Sequence, residues 1–216
     1  AAIDILMAKL KMINAELSGQ KKRTVISQIT NRIKSAESIY AKLLKKGLEP
    51  DFETARKNLK DLIGIRVVCP FEDELYQVAE SLEMQKDIEI VRIKDYIKNP
   101  KKNGYKSLHL IVKTPIFLKE GKKMITVEVQ LRTIAMDFWA SLEHKLRYKK
   151  SIPEDQSKYL AEEMMDCAQI SSALDERMQK VRDVIMQAEE KEEEKSSGVE
   201  PLMLRGLTER IRQKNL

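Results

Sequence analysis

Cysteine is scarce, with only Cys69 and Cys167 among 216 residues. Neither a disulfide framework nor a Cys-rich zinc centre can be built from them, and both lie in apolar patterns that predict buried thiols. Histidine is as sparse. His109 and His144 stand 35 positions apart, which excludes both the HExxH zinc helix and the paired histidines of metal-dependent phosphohydrolases. The seven glycines, at 19, 47, 64, 104, 121, 198 and 206, provide neither GxxxxGK[ST] nor GxGxxG spacing. Any polyphosphate must therefore be held by side-chain cations and a metal ion. No GxSxG elbow supports a Ser-His-Asp triad. No apolar run approaches the ~20 residues of a membrane span. The opening AAIDILMAKLKMINAEL lacks the basic start and small-residue cleavage site of a signal peptide, so a cytoplasmic protein making no use of a membrane is expected. The length suits one domain with a substantial core.

Charge is plentiful, at 34% of residues, and unevenly placed. Residues 21–46 carry Lys21, Lys22, Arg23, Arg32, Lys34, Lys42, Lys45 and Lys46 against Glu37 alone. Residues 94–106 carry Lys94, Lys98, Lys101, Lys102 and Lys106 against Asp95. Two such concentrations within a net charge of +6 call for an anionic partner, either a nucleic acid backbone or a nucleotide polyphosphate.

Apolar residues at Ile3, Leu6, Met7, Leu10, Ile13 and Leu17 predict an amphipathic first helix. A loop over 18–28 leads to an extended segment at 29–34. Ser35 is a plausible N-cap for a helix that runs to about Lys46 and is closed by Gly47 and Pro50. On that helix Ser38, Lys42 and Lys45 share one stripe, beside the anchoring Ile39 and Leu43. Strand signals follow at 62–69, 88–94, 107–113 and 124–132, with helices at 72–85 and 135–149. The last strand alternates Ile125, Val127, Val129 and Leu131 on one face with Thr126, Glu128, Gln130 and Arg132 on the other. The class is α+β, with flanking helices on a mixed sheet of four or five strands. A 4,3,4,3 spacing from Leu160 through Met164, Cys167, Ser171, Leu174, Met178, Val181 and Ile185 to Ala188 predicts a coiled-coil seam, facing either the first helix or another subunit. Residues 189–198 read as a helix end and linker, and the last fifteen as a short basic amphipathic piece.

Asp61 at the mouth of DLIGIRVVC and Glu128 on the polar face of TVEVQLRT supply two carboxylates from separate strands beside the basic clusters, a reasonable Mg²⁺ site for phosphoryl-type transfer. In DYIKNPKKNGYKSLH, Asn-Pro and Asn-Gly mark turns that surround Tyr105 with lysines, and an aromatic ring there can stack on a base.

These segments together resemble the synthetase domain of Rel/Spo-type alarmone enzymes, and the short chain resembles a small alarmone synthetase. The motifs that carry the likeness are Arg32-Ile-Lys34 followed by SAESIYAKLLKKG, DLIGIRV at 61–67, RIKDYIKNPKKNGYKSLH at 92–109, VEVQLRT at 127–133 and FWASLEHKLRYK at 138–149. The resemblance implies a nucleotidyltransferase-like sheet of about five strands. It divides the chain into an N-terminal helix and basic loop (1–28), a catalytic domain (29–150) and a helical extension for oligomerisation (151–216).

It also implies transfer of the β,γ-pyrophosphate of ATP to the 3′-hydroxyl of GTP or GDP, with release of AMP. Carried over by position, Arg32 and Arg66 sandwich adenine, which suits the flat guanidinium. Lys34, Ser38, Lys42 and Lys45 hold the ATP phosphates, Asp61 and Glu128 bind Mg²⁺, and Glu128 takes the proton of the 3′-hydroxyl. Tyr105 stacks on guanine, with Lys94, Lys101, Asn103, His109 and Gln130 around the acceptor. The paired-histidine hydrolase motif of bifunctional relatives is lacking, so synthesis only is expected. The charged motif Arg92-Ile-Lys94-Asp95 leaves GTP and GDP both open. Gln28 stands where one branch has an aromatic residue for product-dependent activation, which counts against activation of that kind here. Small synthetases are homotetramers, and the heptad seam is compatible with that. Competing readings keep the chemistry but direct it to adenosine nucleotides or a tRNA end, or make the basic loop a non-catalytic RNA-binding surface.

Overall fold

The computed structural model describes the backbone of residues 1–147 and 154–213, with side chains for 1–146 and 156–193. In chain order the elements are α1 (Ala2–Lys21), β1 (Gln28–Ile33), α2 (Ala36–Lys45), α3 (Phe52–Asn58), β2 (Ile63–Cys69), α4 (Glu72–Glu83), β3 (Glu89–Asp95), β4 (Leu108–Leu118), β5 (Gly121–Thr133), α5 (Ile134–Arg147) and α6 (Glu154–Gln213). The expected end of α5 at Tyr148 and Lys149, and the side chains of the last fifteen residues, lie outside the described residues.

The five strands form one mixed sheet in the order β1-β2-β5-β4-β3. Only β2 and β5 run parallel, and the other neighbours are antiparallel. Along β5 the alternation seen in the sequence holds. Val127, Val129 and Leu131 are fully buried against Ile65 and Val67 of β2 and Leu110 and Val112 of β4. This face is covered by α1, through Leu6, Leu10 and Ile13, and by α4, through Leu75, Val78 and Leu82. The apolar stripe of α1 is thus spent on its own sheet and on α4. Ion pairs fasten the same layer: Arg23 to the buried Glu74, Lys9 to Asp87 at 2.8 Å and Lys21 to Asp73 at 3.9 Å.

Ser35 caps α2 as expected, its hydroxyl accepting from the Ser38 amide. The turn at Gly47 takes φ +66°, a conformation glycine adopts without steric cost. The apolar side of α2 is anchored by Leu43 in a small separate core with Ala55 and Leu59, against which Ile39, Leu48 and Leu62 pack. Ala55 belongs to α3, which the sequence pattern did not predict. Seven residues are too few for a clear 3.6-residue period, and its visible signal is the Asp51 cap, which accepts from the Thr54 amide at 2.9 Å.

Three other expectations need correction. The first helix runs to Lys21, past the loop expected from residue 18. Cys69 is buried, and burial pushes its thiol up to about 12, whereas Cys167 is exposed because the inward position on that turn of α6 belongs to Ala168. The linker expected at 189–198 is absent, and α6 continues as one helix. Glu and Lys at 189–195 are good helix formers, and Ser196, Ser197 and Gly198 cost at most ~1 kcal/mol each.

The chain divides into two compact units, Ala1–Asp175 and Glu176–Leu216. The first contains the sheet and the start of α6. The second is a helix with Met178, Val181 and Ile185 exposed along its seam. Among the described residues no helix is long and apolar enough to cross a membrane.

Leu10 has no exposed surface, so Leu10→Ala should lower unfolding free energy by about 3 kcal/mol through lost burial and a residual cavity. Urea denaturation measures this, and a change within 0.5 kcal/mol would show that α1 is not part of the cooperative core.

Candidate active site

The polar face of the sheet is built by register. One row of cross-strand partners runs Thr30, Arg66, Gln130, His109 and Lys94 through all five strands. The adjacent row runs Arg32, Gly64, Glu128, Ile111 and Arg92. Glu128 is therefore central, with one basic cluster on each side. Gly64 leaves space between it and Arg32, whose Cγ and Nε lie 3.5 Å from where a Cβ at position 64 would be.

On the β1 side a cleft of about 200 Å³ is lined by Arg32, Gly64, Arg66 and Gln130. Arg66 is held by Asp137 at 3.3 Å, and its Nε is buried without a partner. Below the cleft, Asp61 Oδ2 accepts from Lys34 Nζ at 2.7 Å and from Lys42 Nζ at 2.6 Å. Burial alone would raise the Asp61 pKa. The hydrogen bonds and charges of both lysines outweigh it and bring the carboxyl down to about 2. Ser38 is engaged in the α2 cap, where its hydroxyl accepts from that of Ser35 at 3.0 Å, and Lys45 is exposed at the end of the same stripe.

On the other side, Glu128 is 8% exposed and both its oxygens are satisfied. Oε1 lies 3.1 Å from His109 Nδ1, and Oε2 accepts from Gln130 Nε2 at 2.8 Å. His109 Nε2 lies 2.8 Å from the Tyr105 hydroxyl. Arg132 Nη2 donates to that hydroxyl at 2.8 Å and to Gln130 Oε1 at 3.2 Å. With His109 neutral, the donor directions close one way: Arg132 to Tyr105, Tyr105 to His109, His109 to Glu128, and Arg132 to Gln130 to Glu128. Four side chains thus orient one carboxylate. Burial would raise the Glu128 pKa, but the His109 and Gln130 hydrogen bonds prevail and hold it below the ordinary value, with the Asp61 charge acting in the opposite sense.

Arg132 was read from the sequence only as a residue of the polar face, and its role at the site was missed, as was that of Asp137. Asp137 Oδ1 accepts from Arg132 Nη1 at 2.9 Å and pairs with Arg66, linking the two sides. The alternation of β5 already placed Arg132 in the row of Glu128 and Gln130. No sequence pattern marked Asp137, which comes from the first turn of α5.

The basic loop closes the site. Lys101 Nζ sits 4.4 Å from the Tyr105 ring centre and 4.7 Å from that of Tyr96. Burial lowers the pKa of this ammonium, and the Glu128 charge opposes that shift. Asn103 is turned toward α5, its amide donating to Glu143 at 3.3 Å. Lys94 lies next to His109 in register.

The carboxylate pair also fits a hard cation. Asp61 Oδ1 is buried with no hydrogen-bond partner, and the Asp61 charge is felt at Glu128. Among the described residues no cluster of three or more His, Cys, Asp or Glu could hold a metal ion alone.

Asp61→Asn should cost about 1.5–3 kcal/mol at pH 7, because two ammonium groups lose a charged acceptor. The carboxyl titrates near 2 when folded against 3.8 ordinarily, so its stabilisation is complete above pH 3.8 and is lost as pH falls toward 2. Urea unfolding of both proteins at pH 7 and pH 3 should show the difference narrowing at the lower pH. A constant difference would refute the assignment.

Residues 31–153 match the model of the region found in RelA / SpoT proteins. The GTP pyrophosphokinase YwaC of Bacillus subtilis is 41% identical over 82% of this chain and 83% of its own length. A second B. subtilis GTP pyrophosphokinase, YjbM, is 35% identical over 92% of each chain. The crystal structure of small alarmone synthetase 1 from B. subtilis bound to its product pppGpp superposes with a TM-score of 0.77 at 33% identity, covering 85% of this chain and 92% of that one. The same enzyme bound to AMPCPP gives 0.69 at 30% identity, covering 86% and 92%. The matched region contains Arg32, Lys34, Lys42, Asp61, Arg66, Lys101 and Glu128, and the chain belongs to the RelA/SpoT family.

Proposed function

We propose that the chain is a GTP/GDP pyrophosphokinase that moves the β,γ-pyrophosphate of ATP onto the 3′-hydroxyl of GTP or GDP, releasing AMP and forming pppGpp or ppGpp. The observation that carries the mechanism is the central place of Glu128, oriented through both oxygens between two separate cation clusters.

On the ATP side, the cleft between Arg32 and Arg66 accepts a flat base between guanidinium planes, with Gly64 leaving the floor open. Lys34 and Lys42 exchange their bonds to Asp61 for bonds to the ATP phosphates, with Ser38 and Lys45 farther along the stripe. Asp61 and Glu128 would hold Mg²⁺, which would neutralise charge on the phosphates.

On the acceptor side, the Lys101 ammonium covers the Tyr105 ring and leaves it for the acceptor phosphates as guanine stacks there. His109, Lys94 and Gln130 surround that nucleotide, and Asn103, bonded to Glu143 and to the Tyr105 amide, holds the loop beside it. The 3′-oxygen attacks the β-phosphorus. The new O3′–Pβ bond forms as the bond from Pβ to the oxygen bridging it to Pα breaks, AMP leaves with that electron pair, and the 3′-hydroxyl proton passes to Glu128. A carboxylate held below its ordinary pKa is a modest base, so its contribution comes from position as well as basicity. Placement and charge neutralisation dominate such transfers.

The reading extends to a homotetramer in the cytoplasm, supported by the exposed apolar seam of α6.

The test is incubation with γ-labelled ATP and, separately, GTP, GDP, GMP, ATP alone or tRNA. Label should move to GTP or GDP with one AMP per product, stop with Glu128→Gln, and stop on chelation until Mg²⁺ is restored. Label on tRNA or an adenosine nucleotide would change the named acceptor. RNA binding without any AMP would replace the reading with a binding module. Arg132→Met should lower kcat by about 10²-fold through loss of Glu128 orientation, and Arg132→Lys should not restore it, because an ammonium cannot reproduce the planar fork. Light scattering should give four times the 25.0 kDa chain mass, and a monomer mass at micromolar concentration would overturn the assembly.

A further inference from the structure

The loop between β3 and β4 is a tightly closed turn. Gly104 N–H donates to the Lys101 carbonyl at 2.9 Å, and Lys101 N–H donates to the Tyr105 carbonyl at 3.1 Å. The Tyr105 amide donates to Asn103 Oδ1 at 3.3 Å. These bonds make Lys101, Asn103 and Tyr105 one body with Gly104, which takes φ +83° at its apex.

That apex rests on α6. A methyl group at position 104 would lie 2.4 Å from Ala168 Cβ and 3.3 Å from Met165 Sδ, closer than atoms pack. The supporting part of α6 is itself fixed. Trp139 Nε1 donates to the Met164 carbonyl at 3.1 Å, and the Ser171 hydroxyl donates to the Ala135 carbonyl at 3.1 Å. The Thr133 hydroxyl bonds Asp175 one turn farther on. Trp139, Ala140 and Ala168 form a small buried cluster against which Tyr105 packs.

We propose that Ala168 is a positioning residue for the acceptor nucleotide. Its single methyl group admits the Gly104 backbone and so sets the height at which Lys101 and Tyr105 meet the acceptor's phosphates and base. This rests on the functional reading above. Ala168 touches neither substrate and acts through the loop. The residues assigned to ATP lie on β1, β2, α2 and the turn between β1 and α2, and the seat reaches them only at one remove, from Tyr105 through Arg132 and Asp137 to Arg66, so the effect falls first on the acceptor. A larger side chain at 168 lifts the loop, and a displacement of about 1 Å at a reacting group is enough for large losses.

The test compares Ala168→Leu, Gly104→Ala and the double variant Gly104→Ala/Ala168→Gly in steady-state transfer, varying ATP and GTP or GDP in turn, with thermal melting to check the fold. Ala168→Leu and Gly104→Ala should each raise the acceptor KM about tenfold or more while the ATP KM stays within about twofold. Alanine at 104 is also strained by the φ of +83°, so removing the 168 methyl group should recover the steric part of the Gly104→Ala loss, which also decides the matter if Ala168→Leu does not fold. Equal rises in both KM values, no rise, or no recovery in the double variant would overturn the seat while leaving the function in place. A wild-type chain that transfers nothing would remove the functional reading and the role of Ala168 with it.

Discussion

A carboxylate buried in the middle strand of a sheet must be given donors, or its desolvation would protonate it or unfold its surroundings. Glu128 meets that requirement through a ring that begins and ends at Arg132, and most of the site follows from the ring. Arg132 needs a counter-charge of its own, and Asp137 provides it from the first turn of α5. Asp137 also holds Arg66, so the cleft on one side and the aromatic loop on the other are referred to the same oxygen. The sheet supplies the spacing, the helix that follows β5 supplies the anchor, and Gly64 supplies the room.

A site meant for several phosphates must also be stable without them. Its cations are distributed so that each cluster has an internal partner: Lys34 and Lys42 on Asp61, Arg66 and Arg132 on Asp137, and Lys101 on two aromatic rings. Like charges therefore converge on the polar face without leaving the folded chain to bear their full repulsion.

Much of this was legible beforehand, because β5 obeys a strict two-residue alternation and because the motifs of the resemblance fall on it and its neighbours. Alternation put Glu128, Gln130 and Arg132 on one face, and the cap at Ser35 and the stop at Gly47 bracketed α2. What was not legible depends on three-dimensional closure. Asp137 is one acidic residue in an amphipathic helix until α5 returns it beside Arg132. Cys167 and Ala168 differ by one step around a helix, and the apolar pattern alone does not say which of them is covered. The short α3 is held by Ala55 and by the adjoining Leu59 against Leu43, a contact between segments that no local period reveals.

The two lysines on Asp61 have a consequence for discrimination among ligands. A bare phosphate that draws Lys34 and Lys42 away strands a half-buried carboxylate whose other oxygen already lacks a donor. On the proposed reading, a divalent cation presented with the polyphosphate would give Asp61 a positive partner in place of the two ammonium groups. The resting ion cluster would thus favour a nucleotide presented with its cation, before base or sugar is read.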